Sequence, residues 1–346
     1  MTLFKLCRVW MFAPMFKIPK PTDSTSSDHS RECQLWQQQF EQRFERWSVP
    51  VNGRRLGGYR SLSEGEYRRQ ICWLHGNGFN SLAYAPILAA LSDPDYSTQT
   101  GLGLYTTDLP GHGHSQTTGK PWPVWRELAS YVEQGMVQQL PANSDVERIG
   151  IGHSLGGVVS LLQAHQYPDR FDRLLLLDPV LFTPGIVAAQ QVLKALGLWR
   201  WMPMPKVTRR RDSRWQSVSL MHQQLAQKGF YRSWDPQALA GFVAGGHQVV
   251  AQGAAQRVEL SCPPEWEARI FSSVPQRLTQ AIREVRIPVH VLCARNSFPF
   301  ILKGTRRAAQ INPHISYQVW GEGHCFPMEQ PHQTAALIKE WLARTT

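Results

Sequence analysis

The stretch RIGIGHSLGGV, residues 148–158, carries the strongest structural signal in this chain. An apolar strand ends at Ile151, a glycine-rich turn follows, and an apolar helix begins at Leu155. Glycines at 152 and 156 suit a tight turn, because a side chain at either position would crowd it. We therefore predict a strand, a turn and a helix, with Ser154 projecting at the start of that helix.

Strand and helix patterns alternate on both sides of this turn. Strands are predicted at 71–74, 102–107, 148–151, 174–177, 289–293 and 315–320, and helices at 85–91, 125–140, 155–167, 305–310 and 330–344. Short apolar strands that alternate with helices indicate a parallel sheet covered by helices on both faces. The predicted fold class is therefore α/β.

The alternation stops near Phe182 and resumes at Val289, so an insert interrupts one sheet. Before the sheet, residues 31–46 have apolar positions near helical spacing, and Asn52-Gly53 indicates a hairpin. The predicted parts are an N-terminal tail and helix (1–46), the first part of the core (47–181), a mainly helical cap insert (182–285) and the second part of the core (286–346).

Composition excludes several classes of protein. The chain has 346 residues, of which 42% are hydrophobic and 18% charged, so it is neither disordered nor fibrous. None of its six cysteines forms a CxxC pair, which argues against a zinc ribbon and favours a reduced, cytoplasmic setting. The formal net charge is +11, but zinc-finger spacing and RNP-like aromatic motifs are missing, so no nucleic-acid partner is expected.

The first twenty residues are apolar and basic. Arg8 interrupts the apolar run and no small-residue cleavage site follows, which argues against a signal peptide. The segment could be a loose tail, an extension before a true start at Met11 or Met15, or an anchor at a membrane surface. No stretch of the chain reaches the ~18 uninterrupted apolar residues of a membrane span.

A serine hydroxyl becomes an effective nucleophile only when a base accepts its proton. The pattern Gly152-His153-Ser154-Leu155-Gly156, placed between a strand and a helix, is typical of a nucleophile elbow. Ser154 is therefore the candidate nucleophile. His324, in the glycine-rich loop after the last predicted strand, is the candidate base.

A second glycine-rich loop, WLHGNG at 73–78, follows the first core strand. Gly76 and Gly78 allow its backbone to approach the nucleophile. We predict that the backbone amides of Asn77 and Leu155 form an oxyanion hole. His75 is expected to be structural.

Together these motifs resemble the α/β-hydrolase superfamily over residues 47–181 and 286–346. The match includes DLPGHGHS at 108–115, which is similar to the family's D-x-x-G-x-G-x-S loop. The resemblance implies the α/β-hydrolase fold, with a mostly parallel central sheet and a cap inserted between two strands. It also implies structural roles for Asp108 and His112. Ser154 argues against epoxide hydrolases and haloalkane dehalogenases, which place an aspartate there.

The triad acid departs from the family pattern. Many members carry it after the strand that is 289–293 here, where this chain has Ser297. The best candidate is Asp178, because a carboxylate after strand 174–177 can reach the far nitrogen of His324 and hold its tautomer. The alternatives are Glu265, Glu267, the less favourably placed Glu322, or a dyad assisted by Ser297 or water.

The predicted activity is hydrolysis of carboxylic esters by a Ser154–His324–Asp178 triad, without a metal or organic cofactor. The aromatic cap favours a small-molecule substrate with an apolar acyl or aryl part, although thioesters, lactones and carbon–carbon bonds use the same machinery. The cap holds most of the excess positive charge, including Arg209–Arg211, so weak contact with an acidic membrane surface is expected through it or the N-terminus. The competing hypothesis is a ligand- or membrane-binding protein with little or no catalysis.

Overall fold

One central β-sheet organises the chain, as seen in a computed structural model. The structure describes residues 38, 40–62, 67–115, 122–140, 145–197, 203–252 and 255–344. The strands found there are β1 (Phe44–Val51), β2 (Arg54–Ser61), β3 (Arg69–Leu74), β4 (Leu102–Thr107), β5 (Glu147–His153), β6 (Arg173–Leu177), β7 (Arg214–Trp215), β8 (His247–Gln252), β9 (Ala255–Leu260), β10 (Val289–Cys293) and β11 (Ile315–Val319).

Eight of these strands form the central sheet in the order β1-β2-β4-β3-β5-β6-β10-β11. The β1–β2 hairpin and the β2–β4 pair are antiparallel, whereas the pairs from β4 to β11 are parallel. At the hairpin turn Asn52 and Gly53 both have positive φ values, of 48° and 74°. This is the backbone of the tight turn that an Asn-Gly pair favours.

The helices found in the described residues cover the sheet and build the insert. They are α1 (Ala85–Leu91), α2 (Pro94–Thr100), α3 (Trp125–Gln139), α4 (Leu155–Gln166), α5 (Pro184–Ala195), α6 (Pro203–Arg209), α7 (Val218–Gln227), α8 (Pro236–Gly245), α9 (Pro264–Phe271), α10 (Leu278–Glu284), α11 (Pro299–Ile311), α12 (Phe326–Glu329) and α13 (Pro331–Arg344).

Helices pack on both faces of the sheet because the side chains of its strands alternate between them. In β6, Leu174 and Leu176 face the cluster that includes α3 and α4, whereas Leu175 and Leu177 face the cluster that includes α1 and α13. All four leucines are fully buried. Complete burial of one such side chain stabilises the fold by roughly 1.5–3 kcal/mol. Because both faces of β6 are covered, its four leucines form a continuous apolar run, and apolar residues do not alternate with polar ones.

Strand register brings the carboxyl ends of the central strands to one edge of the sheet. Leu74 of β3 pairs with Gly152 of β5, and His153 of β5 pairs with Leu177 of β6. Leu177 also pairs with Leu292 of β10. The residues that follow these strands therefore meet. In open α/β sheets this edge is where ligands bind.

The described residues of the insert contain six helices, α5 to α10, and a small antiparallel sheet in the order β7-β9-β8. This small sheet was not predicted. Its shortest strand, Arg214–Trp215, has only two residues and pairs with Val258 and Glu259, so it carries no periodic pattern of its own. The helix α10 also lies within the range assigned to the insert, but its Leu278 and Ile282 pack in the same cluster as α4 of the core.

The predicted N-terminal helix ends three residues earlier than expected. Residues 40–43 are helical, but β1 begins at Phe44 because Phe44 pairs with Ser61 and extends the hairpin. Phe40 stacks on Phe44, which joins the end of this helix to the sheet. Residues 1–37 and 39, which include the predicted tail and the first part of the predicted helix, lie outside the described residues. In the described part of the chain, no helix is both long and apolar enough to cross a membrane.

Candidate active site

Ser154 lies in a strained turn between β5 and α4. Its φ of 54° is a left-handed value that is uncommon for a residue other than glycine. A Cβ at position 152 would lie 2.5 Å from the carbonyl of Gly156, and one at position 156 would lie 2.3 Å from the oxygen of Leu74. Both positions therefore require glycine, as the elbow pattern predicted on steric grounds.

His324 connects Ser154 to Asp178 through its two ring nitrogens. The Nε2 atom lies 3.0 Å from Ser154 Oγ, and the Nδ1 atom lies 2.6 Å from Asp178 Oδ2. The side chain of His324 is 20% exposed, Ser154 is 7% exposed and Asp178 is fully buried. The structure thus brings together the three residues predicted as nucleophile, base and acid, although they are up to 170 positions apart.

Asp178 also lies in a left-handed turn, with a φ of 43° directly after β6. Its Oδ1 accepts a hydrogen bond from the amide of Ala294 at 2.8 Å, and its Oδ2 accepts a short hydrogen bond from Ser297 Oγ. Ser297 occupies the position where the resemblance leads one to expect the acid. It therefore faces the same carboxylate that His324 contacts.

The other candidate carboxylates have different partners. Glu265 pairs with Arg209 at 2.8 Å, and Glu267 pairs with Arg211 at 2.6 Å. Glu322 is exposed and accepts a hydrogen bond from the side-chain amide of Asn296. Two arginines of the basic run in the cap are thus held by neighbouring acids.

In the described part of the chain, the backbone amides predicted as oxyanion donors are left without a hydrogen-bond acceptor, whereas the amides next to Asn77 have one. The amide of Gly76 donates to Tyr84 Oη at 3.0 Å, and the amide of Gly78 donates to His112 Nε2 at 3.0 Å. Between them, the amide of Asn77 has no acceptor among the described residues. Leu155 is the first residue of α4, where a backbone amide has no partner within the helix.

Two buried histidines connect the loops around the predicted oxyanion donors by hydrogen bonds. His75 Nδ1 donates to the oxygen of Gly76, and its Nε2 accepts from the amide of Leu109 at 2.9 Å. His112 Nδ1 faces the oxygen of Pro110, and its Nε2 accepts from Gly78. Burial lowers the pKa of both histidines, so both remain neutral at pH 7. Each can then donate with one ring nitrogen and accept with the other.

Asp108 has the loop-shaping contacts that the resemblance implied. Its Oδ1 accepts from the amide of Ser81 at 2.7 Å, and its Oδ2 accepts from the amide of His114 at 2.9 Å. The carboxylate also packs against Gly113, whose φ is 51°. A side chain at position 113 would collide with the aspartate.

The insert is hydrogen-bonded directly to the loops of the candidate site. Asn77 Nδ2 donates to the oxygen of Glu267 at 3.1 Å, and Asn80 Nδ2 donates to the oxygen of Phe242 at 2.8 Å. Trp266 Nε1 donates to the oxygen of Pro110 at 2.8 Å. All three bonds are buried, so the helices α8 and α9 help to fix the loops that carry the predicted oxyanion donor.

Aromatic side chains lie close to the candidate base. The ring of Phe298 lies 5.4 Å from the imidazole of His324 and stacks on Phe300. Phe79 stacks on His153, the residue before Ser154, and packs edge-on against Trp234 of the insert, with ring centroids 5.3 Å apart. The exposed Phe230 lies next to Phe79. The surroundings of the candidate site therefore include aromatic side chains of both the core and the insert.

Two residues of the site, Tyr84 and His153, were not identified from the sequence. The hydroxyl of Tyr84 lies 2.6 Å from His153 Nδ1, and His153 Nε2 lies 2.8 Å from the backbone oxygen of His324. His153 adjoins the predicted nucleophile, and that adjacency was the one signal available. Nothing in the sequence pairs it with Tyr84, which lies 69 positions away.

With this geometry in view, comparison with known proteins identifies the family. The sequence profile of the alpha/beta hydrolase family matches residues 73–337, which is most of the chain. The chain belongs to the alpha/beta hydrolase family. The superfamily and fold predicted from its motifs are thereby confirmed.

Several relatives with assigned names match part of this alpha/beta hydrolase. A pimeloyl-[acyl-carrier protein] methyl ester esterase of Shewanella woodyi is 32% identical over 117 residues, covering 34% of this chain and 37% of the relative. An sn-1-specific diacylglycerol lipase of Mus musculus is 32% identical over 157 residues, covering 43% and 46%. An esterase of Mycobacterium tuberculosis is 27% identical over 129 residues, covering 35% and 37%. The chain thus spans less than half the length of each of these relatives.

Solved structures show the same fold over most of the chain. A peroxisomal alpha-beta-hydrolase of Saccharomyces cerevisiae superposes with a TM-score of 0.66 at 16% identity, covering 88% of this chain and 89% of that one. An esterase of M. tuberculosis superposes with a TM-score of 0.63 at 18% identity, covering 89% and 97%. At these identities the likeness supports the architecture, including the region of the insert, and not the substrate.

Proposed function

We propose that this alpha/beta hydrolase cleaves carboxylic esters, with Ser154 as nucleophile, His324 as general base and Asp178 as the residue that orients His324. The hydrogen-bonded chain from Ser154 Oγ through His324 to Asp178 Oδ2 is the observation that carries the proposal. Three relatives whose names specify an esterase or a lipase support the same reaction class.

The first half of the reaction forms an acyl-enzyme. His324 Nε2 removes the proton of Ser154 as Oγ attacks the carbonyl carbon of the ester. The imidazolium that forms is stabilised by Asp178, which faces the Nδ1 proton. When the tetrahedral intermediate collapses, His324 returns the proton to the oxygen of the leaving alcohol. Water then attacks the acyl group in the same way and releases the acid.

The negative charge on the carbonyl oxygen needs preorganised donors. The amides of Asn77 and Leu155 are assigned to this role because neither has a protein acceptor among the described residues. The start of α4 adds the positive end of its helix dipole. Loss of one such donor typically costs about 3–4 kcal/mol of transition-state stabilisation.

The substrate class follows from the surroundings of the site. Phe298 lies beside the ring of His324, and the exposed Phe230 lies next to Phe79, which stacks on His153; this aromatic surface suits an apolar acyl or aryl group. The relatives are named for esters of a carrier-protein-bound acid and of a glycerolipid. We therefore propose small-molecule esters with an apolar part as substrates.

The test compares wild type with Ser154→Ala on p-nitrophenyl esters from acetate to palmitate. We expect kcat to fall by at least about 10⁴-fold in the variant, because the remaining site lacks a nucleophile. The control is Ser130→Ala, since Ser130 lies on α3 and bonds to Gln166, away from the site. Its activity should match wild type.

A fluorophosphonate probe separates an idle serine from a narrow substrate range. Rapid labelling of wild type but not of Ser154→Ala, with no turnover of any p-nitrophenyl ester, would point to an untested ester or thioester. Absence of both turnover and labelling would overturn the proposal and favour a non-catalytic ligand-binding protein.

A further inference from the structure

Tyr84 and His153 lie directly behind the candidate site, and the proton transfers proposed above do not involve either of them. Tyr84 ends the short 3-10 turn Ser81–Tyr84, which follows the oxyanion loop, defined as residues 75–80. His153 is the last residue of β5 and precedes Ser154. Both side chains are fully buried. Buried polar side chains of this kind need hydrogen-bond partners, and each of these has partners at both ends.

The hydrogen bonds run in one fixed direction. The backbone oxygen of His324 can only accept, so His153 Nε2 must carry a proton and donate to it across 2.8 Å. His153 Nδ1 then has a free lone pair and accepts from the hydroxyl of Tyr84 at 2.6 Å. The Tyr84 oxygen accepts in turn from the amide of Gly76 at 3.0 Å. The chain therefore connects the oxyanion loop to the backbone of the candidate base.

This arrangement requires a neutral histidine. Burial lowers the pKa of His153 well below its usual range, and the neighbouring His324 lowers it further. Burial likewise raises the pKa of Tyr84 well above its usual range. A second cation 5.0 Å from the ring of His324 would oppose formation of the imidazolium, whereas a neutral His153 does not.

We propose that Tyr84 and His153 are positioning residues that hold the oxyanion loop and the His324 backbone in a fixed relation to Ser154. The inference rests on the proposed hydrolase function. Gly76 immediately precedes Asn77, the assigned oxyanion donor, so a shift of its amide moves that donor. His324 has its backbone held by His153 and its ring held by Asp178. The two contacts together set the distance of 3.0 Å between Nε2 and Ser154 Oγ.

Tyr84→Phe tests the inference most directly, because it removes one oxygen atom and leaves the ring in place. The amide of Gly76 and the Nδ1 atom of His153 would both lose their partner. We expect kcat to fall about tenfold to a hundredfold with KM changed less than about twofold, since small displacements of reacting groups reduce turnover more than binding. The matched control is Tyr105→Phe. Tyr105 is equally buried but stacks on Trp47 in the sheet, and its variant should retain wild-type kcat.

Substitutions of His153 test the other half of the chain. His153→Leu keeps the apolar volume and removes both hydrogen bonds, whereas His153→Gln offers an amide donor towards the oxygen of His324. We expect His153→Gln to recover part of the kcat that His153→Leu loses, at the same melting temperature. We also expect the double variant Tyr84→Phe/His153→Leu to lose no more than His153→Leu alone, because both changes break one chain of bonds.

A spectroscopic measurement keeps this inference separate from the choice of substrate. The proton between His324 Nδ1 and Asp178 should give a downfield NMR signal in wild type that Tyr84→Phe shifts or broadens and Tyr105→Phe leaves unchanged. If wild type shows the signal but neither hydrolyses an ester nor reacts with the fluorophosphonate probe, the proposed function fails and the positioning inference is judged on the signal. An unchanged signal together with an unchanged kcat in folded Tyr84→Phe would overturn the inference.

Discussion

The two flanks of Ser154 bury titratable side chains in opposite ways. The carboxylate flank, formed by the ends of β6 and β10, holds Asp178 among three donors, namely Ala294, Ser297 and His324. The histidine flank, formed by the ends of β3 to β5 and their loops, contains His75, His112 and His153. Each of these histidines bridges two segments of chain as a neutral donor and acceptor.

The difference shows how one site can combine charge with rigidity. A carboxylate that accepts three hydrogen bonds is stable when buried and can face an imidazolium. Neutral histidines can fix backbone loops without adding a second charge near the proton that moves. We therefore expect changes on the carboxylate flank to act mainly on the chemical step, and the buried histidines of the histidine flank to make the stability of the fold depend on pH.

Among changes to the two flanks, the largest effect should come from Asp178→Asn. The amide presents a donor or an uncharged acceptor to His324 Nδ1, so the imidazolium loses its stabilising charge and the tautomer is no longer fixed. We expect kcat for a p-nitrophenyl ester to fall by roughly 10³- to 10⁴-fold. Glu265→Gln is the control, because Glu265 is an exposed carboxylate paired with Arg209. If Glu265→Gln lost activity and Asp178→Asn kept the kcat of wild type, Asp178 would not be the acid.

A second variant asks whether the carboxylate can move to the end of β10. Ser297 Oγ already contacts Asp178 Oδ2, so an aspartate at position 297 would place a carboxylate near His324 Nδ1. We expect Asp178→Asn/Ser297→Asp to regain about tenfold to a hundredfold in kcat over Asp178→Asn alone, about 1.4–2.7 kcal/mol. The single variant Ser297→Asp should instead lose activity, because two carboxylates would share one site. No gain in the double variant would mean that only the end of β6 has the required geometry.

Ser297→Ala should have a smaller effect. It removes one of three donors to Asp178 and leaves the contact between Asp178 and His324 intact, so a loss of about tenfold or less in kcat is expected. Ser316→Ala, which removes a hydroxyl bonded to His290 on the sheet, should have no effect on kcat. A loss as large as that of Asp178→Asn would favour the dyad in which Ser297 supports His324.

The sequence was sufficient to predict the parts of the molecule that depend on local rules. A tight turn between a strand and a helix demands glycine at 152 and 156, and the register of the sheet places the ends of β5 and β6 together. The position of Asp178 could be inferred because the four leucines at 174–177 end directly before this carboxylate. The predicted bounds of β4, β10 and α1 also agree with the structure, because these elements follow local apolar patterns.

The remaining features depend on contacts between distant residues and leave no local pattern. Tyr84 meets His153 only because the 3-10 turn Ser81–Tyr84 packs behind β5. The small sheet of the insert pairs Trp215 with Val258, and a two-residue strand shows no alternation. The ion pair of Arg211 with Glu267 could be suspected from charge, but its place beside the oxyanion loop could not.

The smallest expected effect concerns stability, and it tests the histidine flank. Burial lowers the pKa of His75, His112 and His153, so the unfolded chain binds more protons than the folded one, and stability falls as pH drops through the usual histidine range near 6.5. Between pH 7.5 and 6.5 the three together should reduce the free energy of unfolding by up to about 1 kcal/mol in urea titrations. His153→Gln should remove about a third of this contribution of three histidines, because one proton-binding group is removed. His114 and His290, whose pKa values burial also lowers, contribute in the same sense and are unaffected by the change. Burial raises the pKa of Glu267 and of Glu329, so these two groups change the free energy of unfolding with pH in the opposite sense. The titrations are therefore kept at pH 6.5 and above, because carboxylates ordinarily titrate at lower pH. A free energy of unfolding that stays constant or rises as pH falls over this range would mean that these histidines do not stay neutral in the folded protein.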